Sequence, residues 1–161
     1  MKKIILSLLV SASLISCSNE AAKKEQIAND NIKFYSNVWE VAINLGRVSI
    51  LDTAYGESIV LHTTPETKGK VAAKAYYQNY VTGFSDREFI VKDIFAQGDK
   101  LVKHWEFKGT HTGDFFGIKA TGKKVDVFGC TIAKIVDGKI VEEQDFMDNL
   151  EFFQQLGLMP R

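Results

Sequence analysis

The spacing of apolar residues predicts helices in the first half of the chain. One set recurs at steps of three and four residues and forms a single stripe on a helix: Ile32, Tyr35, Val38, Trp39, Ala42 and Leu45. Gly46 is the expected end of this first helix, and residues 48–54 are expected to form a short second one. Residues 71–84 carry another stripe of apolar and aromatic side chains, which predicts a third helix.

From Arg87 onward the apolar positions alternate instead of following a helical period. The alternating sets are Phe89, Val91 and Phe95, then Leu101, Trp105 and Phe107, then Val125, Val127 and Thr131. Such alternation predicts β-strands. Gly98-Asp99 and Asp137-Gly138 lie between strands, where hairpin turns are expected. We also expect a brief strand over 57–63 and a short closing helix over 149–158.

Helices followed by a long antiparallel meander predict an α+β domain with its helices on one face of the sheet. When strongly curved, such a sheet encloses a cone-shaped cavity against the N-terminal helices. We expect Trp39, Phe107 and Phe128 to lie in or beside one continuous core.

The first sixteen residues have the composition of a secretion signal. Two lysines precede an apolar run over 4–15 that is too short to span a bilayer. Leu14-Ile15-Ser16-Cys17 resembles a bacterial lipoprotein cleavage site, which predicts removal of residues 1–16 and lipidation of Cys17. Residues 17–26 then form a polar tether and residues 27–161 one domain, anchored to a membrane of the cell envelope. The alternative is an ordinary signal peptide with an incidental cysteine.

Charge and cysteine content exclude several kinds of function. The chain has 20 basic and 20 acidic residues, and removal of residues 1–16 takes two lysines and no acid, which leaves 18 and 20. Because there is no basic excess, nucleic acid is not an expected partner. After lipidation of Cys17, Cys130 is alone in an apolar strand, and we expect a buried thiol rather than a catalytic one.

The remaining candidate chemistry is equally limited. His62, His104 and His111 do not have the spacing of a metal site, so no metal centre is expected. No serine lies in a nucleophile-elbow sequence, which argues against a serine hydrolase.

A series of short motifs follows in the second half of the chain: Gly109-Thr-His-Thr-Gly-Asp-Phe-Phe-Gly, Thr121-Gly-Lys, Asp137-Gly-Lys-Ile-Val-Glu-Glu, Asp148 and Gln155-Leu-Gly. In this order and spacing the chain resembles the SnoaL-like polyketide cyclases, or ester cyclases, of the nuclear transport factor 2-like superfamily. The resemblance extends over residues 31–157. It implies the cone-shaped fold, acid/base catalysis by a single carboxylate without a metal or organic cofactor, and a homodimer.

The resemblance also implies a catalytic aspartate near the end of the last strand. Strict alternation after Asp137-Gly138 places Ile140, Glu142, Gln144, Phe146 and Asp148 on one face of this strand. Asp148 matches the family's aspartate best, and Asp145 is a weaker candidate because it lies on the opposite face. The structural alternative for Asp148 is an N-cap of the following helix.

His111 is the natural hydrogen-bond donor beside this acid. If the strand continues through Gly109, His111 shares a face with Trp105 and Phe107, whereas a bulge there would reverse its direction. The alternative is a bond from His111 to a loop carbonyl. The resemblance places His62 near the cavity, although a surface position is also open.

Further lining residues are expected at Trp39, Trp105, Phe107, Glu142 and Gln144. Two positions depart from the family pattern, since Gln144 replaces a tryptophan and His104 an arginine. If Gln144 faces the pocket, the pocket is wider and more polar than in cyclases of polycyclic ketones.

Three functions agree with these observations. The leading interpretation is a cofactor-independent cyclase or isomerase that acts on a small hydrophobic carbonyl or polyketide-like compound. The second is a lipid-anchored module that binds a small hydrophobic ligand without chemistry. The third is a structural role in the envelope, with the cavity filled by side chains.

Overall fold

A computed structural model describes the backbone of residues 2–160 and the side chains of residues 20–160. The chain starts with the helix α1 (Lys2–Trp39), followed by one π-helical turn (Glu40–Asn44) and a 3₁₀ turn (Val48–Ile50). The other elements are α2 (Leu51–Ala54), β1 (Tyr55–Leu61), β2 (Thr67–Lys68), α3 (Lys70–Gly83), β3 (Glu88–Gln97), β4 (Lys100–Thr110), β5 (Lys124–Val136), β6 (Lys139–Met147) and α4 (Asn149–Gln155). Helices, strands and hairpin turns thus lie where the apolar periods predict them.

The N-terminal predictions concern a part of the chain that the structure describes only partly. The signal peptide over 1–16 and the lipidation of Cys17 lie outside the described side chains and stay predictions. Residues 20–26 of the predicted tether belong to α1 and are exposed. Among the described residues, no helix combines the length and the apolar character that a membrane span requires.

The six strands form one curved, unclosed sheet in the order β2-β1-β6-β5-β4-β3. Strands β3 to β6 make the predicted antiparallel meander. Strand β1 pairs in parallel with β6, a long-range contact that alternation along the chain does not reveal. Helices α1 and α3 contact the sheet, so that the predicted α+β fold with N-terminal helices is confirmed.

The core lies between these helices and the sheet, and it contains Trp39 and Phe107 as predicted. Phe128 does not belong to it, because 52% of its surface is exposed. On β5 the inward residues are at odd positions, among them Val125, Val127 and Ile135, and Phe128 lies on the other face. The prediction for Phe128 was wrong because β5 carries large apolar side chains on both faces, so its sequence does not reveal which face is inside.

A β-bulge in the last strand decides which acids face the interior. Lys134 pairs with Glu142 and Ile135 pairs with Ile140, so Val141 is an extra residue in β6. An extra residue shifts the alternation by one position. Ile140 is buried before the bulge, and Glu143 is the buried residue after it.

Candidate active site

Two cavities with a common wall lie among α1, α3 and the sheet. The inner cavity has a volume of about 40 Å³ and mostly aromatic and aliphatic walls, among them Trp39, Phe89, Trp105 and Phe107. The outer cavity has about 360 Å³ and more polar walls, which include His62, Thr63, Thr64 and Glu143. Four residues border both cavities: Tyr77, Tyr80, Asp145 and Met147. Asp145 is the carboxylate at this junction.

Hydroxyl groups hold the Asp145 carboxylate from two sides. The Thr131 hydroxyl donates to Oδ1 at 2.5 Å, and the Tyr77 hydroxyl donates to Oδ2 at 3.1 Å. Thr131 is fully buried on β5, directly across from Asp145 on β6, and Tyr77 reaches over from α3. The two hydroxyl groups therefore fix the orientation of the carboxylate toward the cavities, although Asp145 as a residue is exposed.

Trp105 fixes Thr131 in turn. Its indole nitrogen donates to the Thr131 hydroxyl oxygen at 2.9 Å. The Trp105 ring lies over Gly129, its cross-strand partner, where a Cβ atom would collide with the ring. Gly129 thus permits a chain of hydrogen bonds from Trp105 through Thr131 to Asp145.

Glu143 is a second acid beside Asp145, and it is almost completely buried. It accepts hydrogen bonds from the hydroxyl groups of Tyr35 at 2.5 Å and Tyr55 at 2.6 Å. Burial raises the pKa of Glu143 to about 7, and the charge of Asp145 acts in the same direction. Burial also holds the pKa of both tyrosines well above their usual range, so they remain donors.

Lys103 is a buried cation in the wall of the inner cavity, with 1% of its surface exposed. Its Nζ lies 4.9 Å from the ring centroid of Tyr35, 4.3 Å from that of Trp39 and 4.5 Å from that of Phe89. Burial lowers the pKa of Lys103 to about 8, and the charges of Asp145 and Glu143 offset part of that effect.

Comparison with known proteins identifies the family to which this chain belongs. A model of the SnoaL-like polyketide cyclase family matches residues 29–156. The chain belongs to this family.

Two curated relatives of this family member are the aklanonic acid methyl ester cyclases DnrD of Streptomyces peucetius and DauD of Streptomyces sp. strain C5. Each is 29% identical over 98 residues, which is 60% of this chain and 68% or 61% of the relative. Among solved structures, a Jannaschia sp. CCS1 protein assigned as a SnoaL-like polyketide cyclase superposes with a TM-score of 0.75 at 22% identity. That likeness covers 83% of this chain and 96% of the other, and it shows the fold.

Asp148 does not lie at either cavity. Asp148 is the N-cap of α4, and its carboxylate accepts a hydrogen bond from the Glu151 backbone N–H at 2.9 Å. It is not a lining residue of either cavity. The bulge at Val141 explains the error, because it turns Glu143 and Asp145 inward instead of Glu142 and Gln144.

His111 is likewise absent from the walls of both cavities. It lies just after the end of β4, is fully buried, and packs against Phe84 and Phe115 at centroid distances of 5.4 and 6.1 Å. Its Nδ1 lies 3.1 Å from the Thr121 hydroxyl oxygen, and its Nε2 has no hydrogen-bond partner in the described part of the chain. The structure therefore gives His111 a packing position, not the predicted donor position.

The other predicted site residues divide into two groups. Trp39, Trp105 and Phe107 line the inner cavity, and His62 lines the outer one. Glu142 contacts His62 at 3.6 Å but lines neither cavity.

Gln144 and His104 belong to the outer face of the sheet. Gln144 pairs with Ile132, which is exposed, and His104 is stacked with the exposed Phe128. Gln144 therefore does not face the cavities, and the condition for a wider, more polar pocket is not met. Within the ranges described, no group of three or more His, Cys, Asp or Glu side chains is arranged to hold a metal ion.

The motifs and apolar periods of the sequence did not predict Lys103 and Glu143 as site residues. Leu101, Lys103, Trp105 and Phe107 all occupy the same face of β4, and a charged residue among apolar ones on an inward face is the signal that marks it. No comparable signal exists for Glu143, because its direction depends on the bulge.

Proposed function

We propose that this protein is a cofactor-independent cyclase or isomerase for a small carbonyl compound, with Asp145 as its acid/base group. The observation that carries the proposal is the position of the Asp145 carboxylate, which borders both cavities while Thr131 and Tyr77 hold its two oxygens. A general base needs such a fixed direction toward the proton that it removes.

The volumes of the two cavities indicate a substrate of limited size. The outer cavity of about 360 Å³ is within the range of small-molecule sites. The inner cavity of about 40 Å³ admits only a small end group, such as an acetyl or aldehyde group. The body of the substrate then occupies the outer cavity and its reactive end lies beside Asp145.

The reaction needs few protein groups. Asp145 removes a proton from a carbon flanked by carbonyl groups, and the resulting enolate carbon attacks a second carbonyl carbon of the same molecule. The alkoxide that forms takes the proton back from Asp145.

The test compares Asp145→Asn with Asp148→Asn on aklanonic acid methyl ester and on unbranched diketones that fit the outer cavity. Asp145→Asn should lower turnover by about 100- to 10,000-fold, the usual contribution of a general acid/base group. Asp148→Asn should leave turnover unchanged, because asparagine also caps helices. Turnover that survives in Asp145→Asn but disappears in Asp148→Asn would contradict the proposal.

A binding function is the second candidate. Both oxygens of Asp145 already accept hydrogen bonds from protein hydroxyl groups, which leaves the carboxylate fewer free lone pairs for a substrate proton. The same cavities are compatible with a lipid-anchored module that binds a small hydrophobic ligand. Equal ligand binding by wild type and Asp145→Asn in native mass spectrometry, with no conversion by either, would favour it.

A further inference from the structure

Lys103 is a buried group that the proposed acid/base mechanism does not use. It lies in the middle of β4, between the inward-facing side chains of Leu101 and Trp105, and it lines the inner cavity, with Nζ 4.3 Å from the ring centroid of Trp39, another lining residue. Among the side chains of residues 20–160, no carboxylate makes a salt bridge with it, whereas Lys108 on the same strand pairs with Glu106 at 2.8 Å. A lysine buried without an ion pair is costly for the fold.

The surroundings of the amine favour its neutral, nucleophilic form more than those of a surface lysine. Burial lowers the pKa of Lys103 to about 8, so about one tenth of the amine is neutral near pH 7. The aromatic rings of Tyr35, Trp39 and Phe89 partly stabilise the remaining ammonium form and hold Nζ in place. Desolvation in an apolar pocket is one way in which proteins activate lysine as a nucleophile.

We propose that Lys103 forms an imine with the carbonyl carbon of a small ketone or aldehyde in the inner cavity. The proposal rests on the carbonyl substrate class of the proposed function and adds covalent amine catalysis to it. An acetyl or aldehyde end is the group that fits a cavity of about 40 Å³ beside Nζ.

The chemistry balances with groups that border the cavity. The neutral amine adds to the carbonyl carbon, and the carbonyl oxygen takes up a proton to give a carbinolamine. A proton from solvent water adds to the carbinolamine hydroxyl group, water leaves as the carbon–oxygen bond breaks, and an iminium ion remains; the later hydrolysis returns this proton to solvent. Asp145 then removes a proton from the adjacent carbon, which gives an enamine whose carbon attacks a second carbonyl group. That oxygen takes the proton from Asp145, and water hydrolyses the iminium ion and frees Lys103.

Several titratable groups face this amine, and they set the expected pH dependence. They are Tyr35 from α1, Tyr77 and Tyr80 from α3, and Glu143 and Asp145 from β6. The tyrosine pKa values are all raised well above their usual range, so these side chains stay neutral near pH 8. Imine formation is therefore expected to increase as the pH rises through about 8, where Lys103 loses its proton.

Acetylacetone is a suitable probe because it condenses with a neutral lysine amine to a stable enaminone that absorbs in the near ultraviolet. The wild-type domain should gain the mass of one acetylacetone less one water, at Lys103 by peptide mapping. Lys103→Met keeps the apolar stem and lacks the amine. The amount of adduct in this variant should be at least about tenfold lower than in the wild type. Lys100→Met, at an exposed position of the same strand, is the matched control and should react like the wild type.

Folding is checked for each variant by its melting temperature, and Lys103→Arg is a second variant that keeps the cation without the reactive amine. Adduct that is spread over surface lysines and undiminished in Lys103→Met would overturn the inference. A second result would overturn the Lys103 inference and leave the proposed function intact. In that case the wild type forms no adduct, Asp145→Asn loses cyclase turnover, and Lys103→Met retains it. Adduct at Lys103 without turnover of any carbonyl compound would support the inference and contradict the cyclase.

Discussion

Tyr35 and Glu143 connect the first helix to the strand that carries the site acids. The Tyr35 hydroxyl donates to Glu143 Oε1 at 2.5 Å, and Tyr55 of β1 donates to Oε2 at 2.6 Å. No cation in the described part of the chain makes a salt bridge with Glu143, so two neutral hydroxyl groups are its partners. Burial raises the pKa of Glu143 and so favours its protonated form, and the two hydroxyl donors offset only part of this effect.

This environment predicts that Glu143 makes stability depend on pH. The pKa of Glu143 is about 7 in the folded protein and near 4.5 in the unfolded chain. The folded state therefore binds the proton more tightly, and the free energy of unfolding falls as the pH rises from about 4.5 to about 7. The difference corresponds to a contribution on the order of 3 kcal/mol. Urea unfolding at several pH values across this window measures it.

Glu143→Gln should remove most of that pH dependence, because the amide is neutral and hydrogen-bonds to tyrosine hydroxyl groups in either direction. Glu142→Gln is the control, because it changes the adjacent, more exposed residue of β6. It should keep the wild-type dependence of the free energy of unfolding on pH. If Glu143→Gln and the wild type lose stability in parallel between pH 4.5 and 7, a different group is responsible.

The N-cap position of Asp148 predicts a structural effect at that residue. Asp148→Ala should lower the free energy of unfolding by about 1 kcal/mol, since it leaves the Glu151 N–H without its acceptor. Asp148→Asn should cost little, because asparagine is also a good cap. Chemical denaturation of the three proteins gives the comparison. Asp148→Ala as stable as the wild type would show that the cap contributes nothing.

The fold was predictable from the sequence because its helices and strands differ in apolar period and the hairpin turns carry glycine. The site was predictable only in part. Trp39, Trp105 and Phe107 are large and apolar, so the hydrophobic effect directs their side chains to the core. Asp145 lies beyond the bulge at Val141, and a single extra residue reverses the faces of a strand. Local sequence contains no mark of that bulge, because it depends on pairing with β5.

The predicted lipid anchor leads to a test in the native host. The apolar run ending in Leu14-Ile15-Ser16-Cys17 predicts cleavage before Cys17 and its lipidation. Several acyl chains hold a protein stably at a membrane, since each buried CH₂ contributes about 0.8 kcal/mol. Cys17→Ala should accumulate as an unprocessed or unanchored form in fractionation and detergent partitioning. Cys130→Ala is the control for loss of a thiol, and it should partition like the wild type.

Processing and membrane attachment of Cys17→Ala at the wild-type level would contradict the lipoprotein interpretation. Correct cleavage of the wild type without any lipid on Cys17 would instead favour an ordinary signal peptide. Intact mass measurement of the mature N-terminus distinguishes these two results.

The outer face of the sheet predicts a homodimer. Phe128 and Ile132 of β5 and Phe146 of the neighbouring β6 are large apolar residues that share this face, and each is about half exposed. Contiguous apolar surface of this kind is typical of protein interfaces. We expect residues 18–161 to sediment as a dimer that buries these side chains, in agreement with the dimer that the family resemblance implies.

Phe128→Lys should convert the dimer to a monomer, because it places a charge within the apolar contact. Val71→Lys is the matched control, since Val71 is an exposed apolar residue on α3, away from this face. Sedimentation velocity over a range of concentrations should show a monomer for Phe128→Lys and a dimer for Val71→Lys. A wild-type protein that stays monomeric at every concentration would contradict the dimer, and a Phe128→Lys dimer would place the contact on another face.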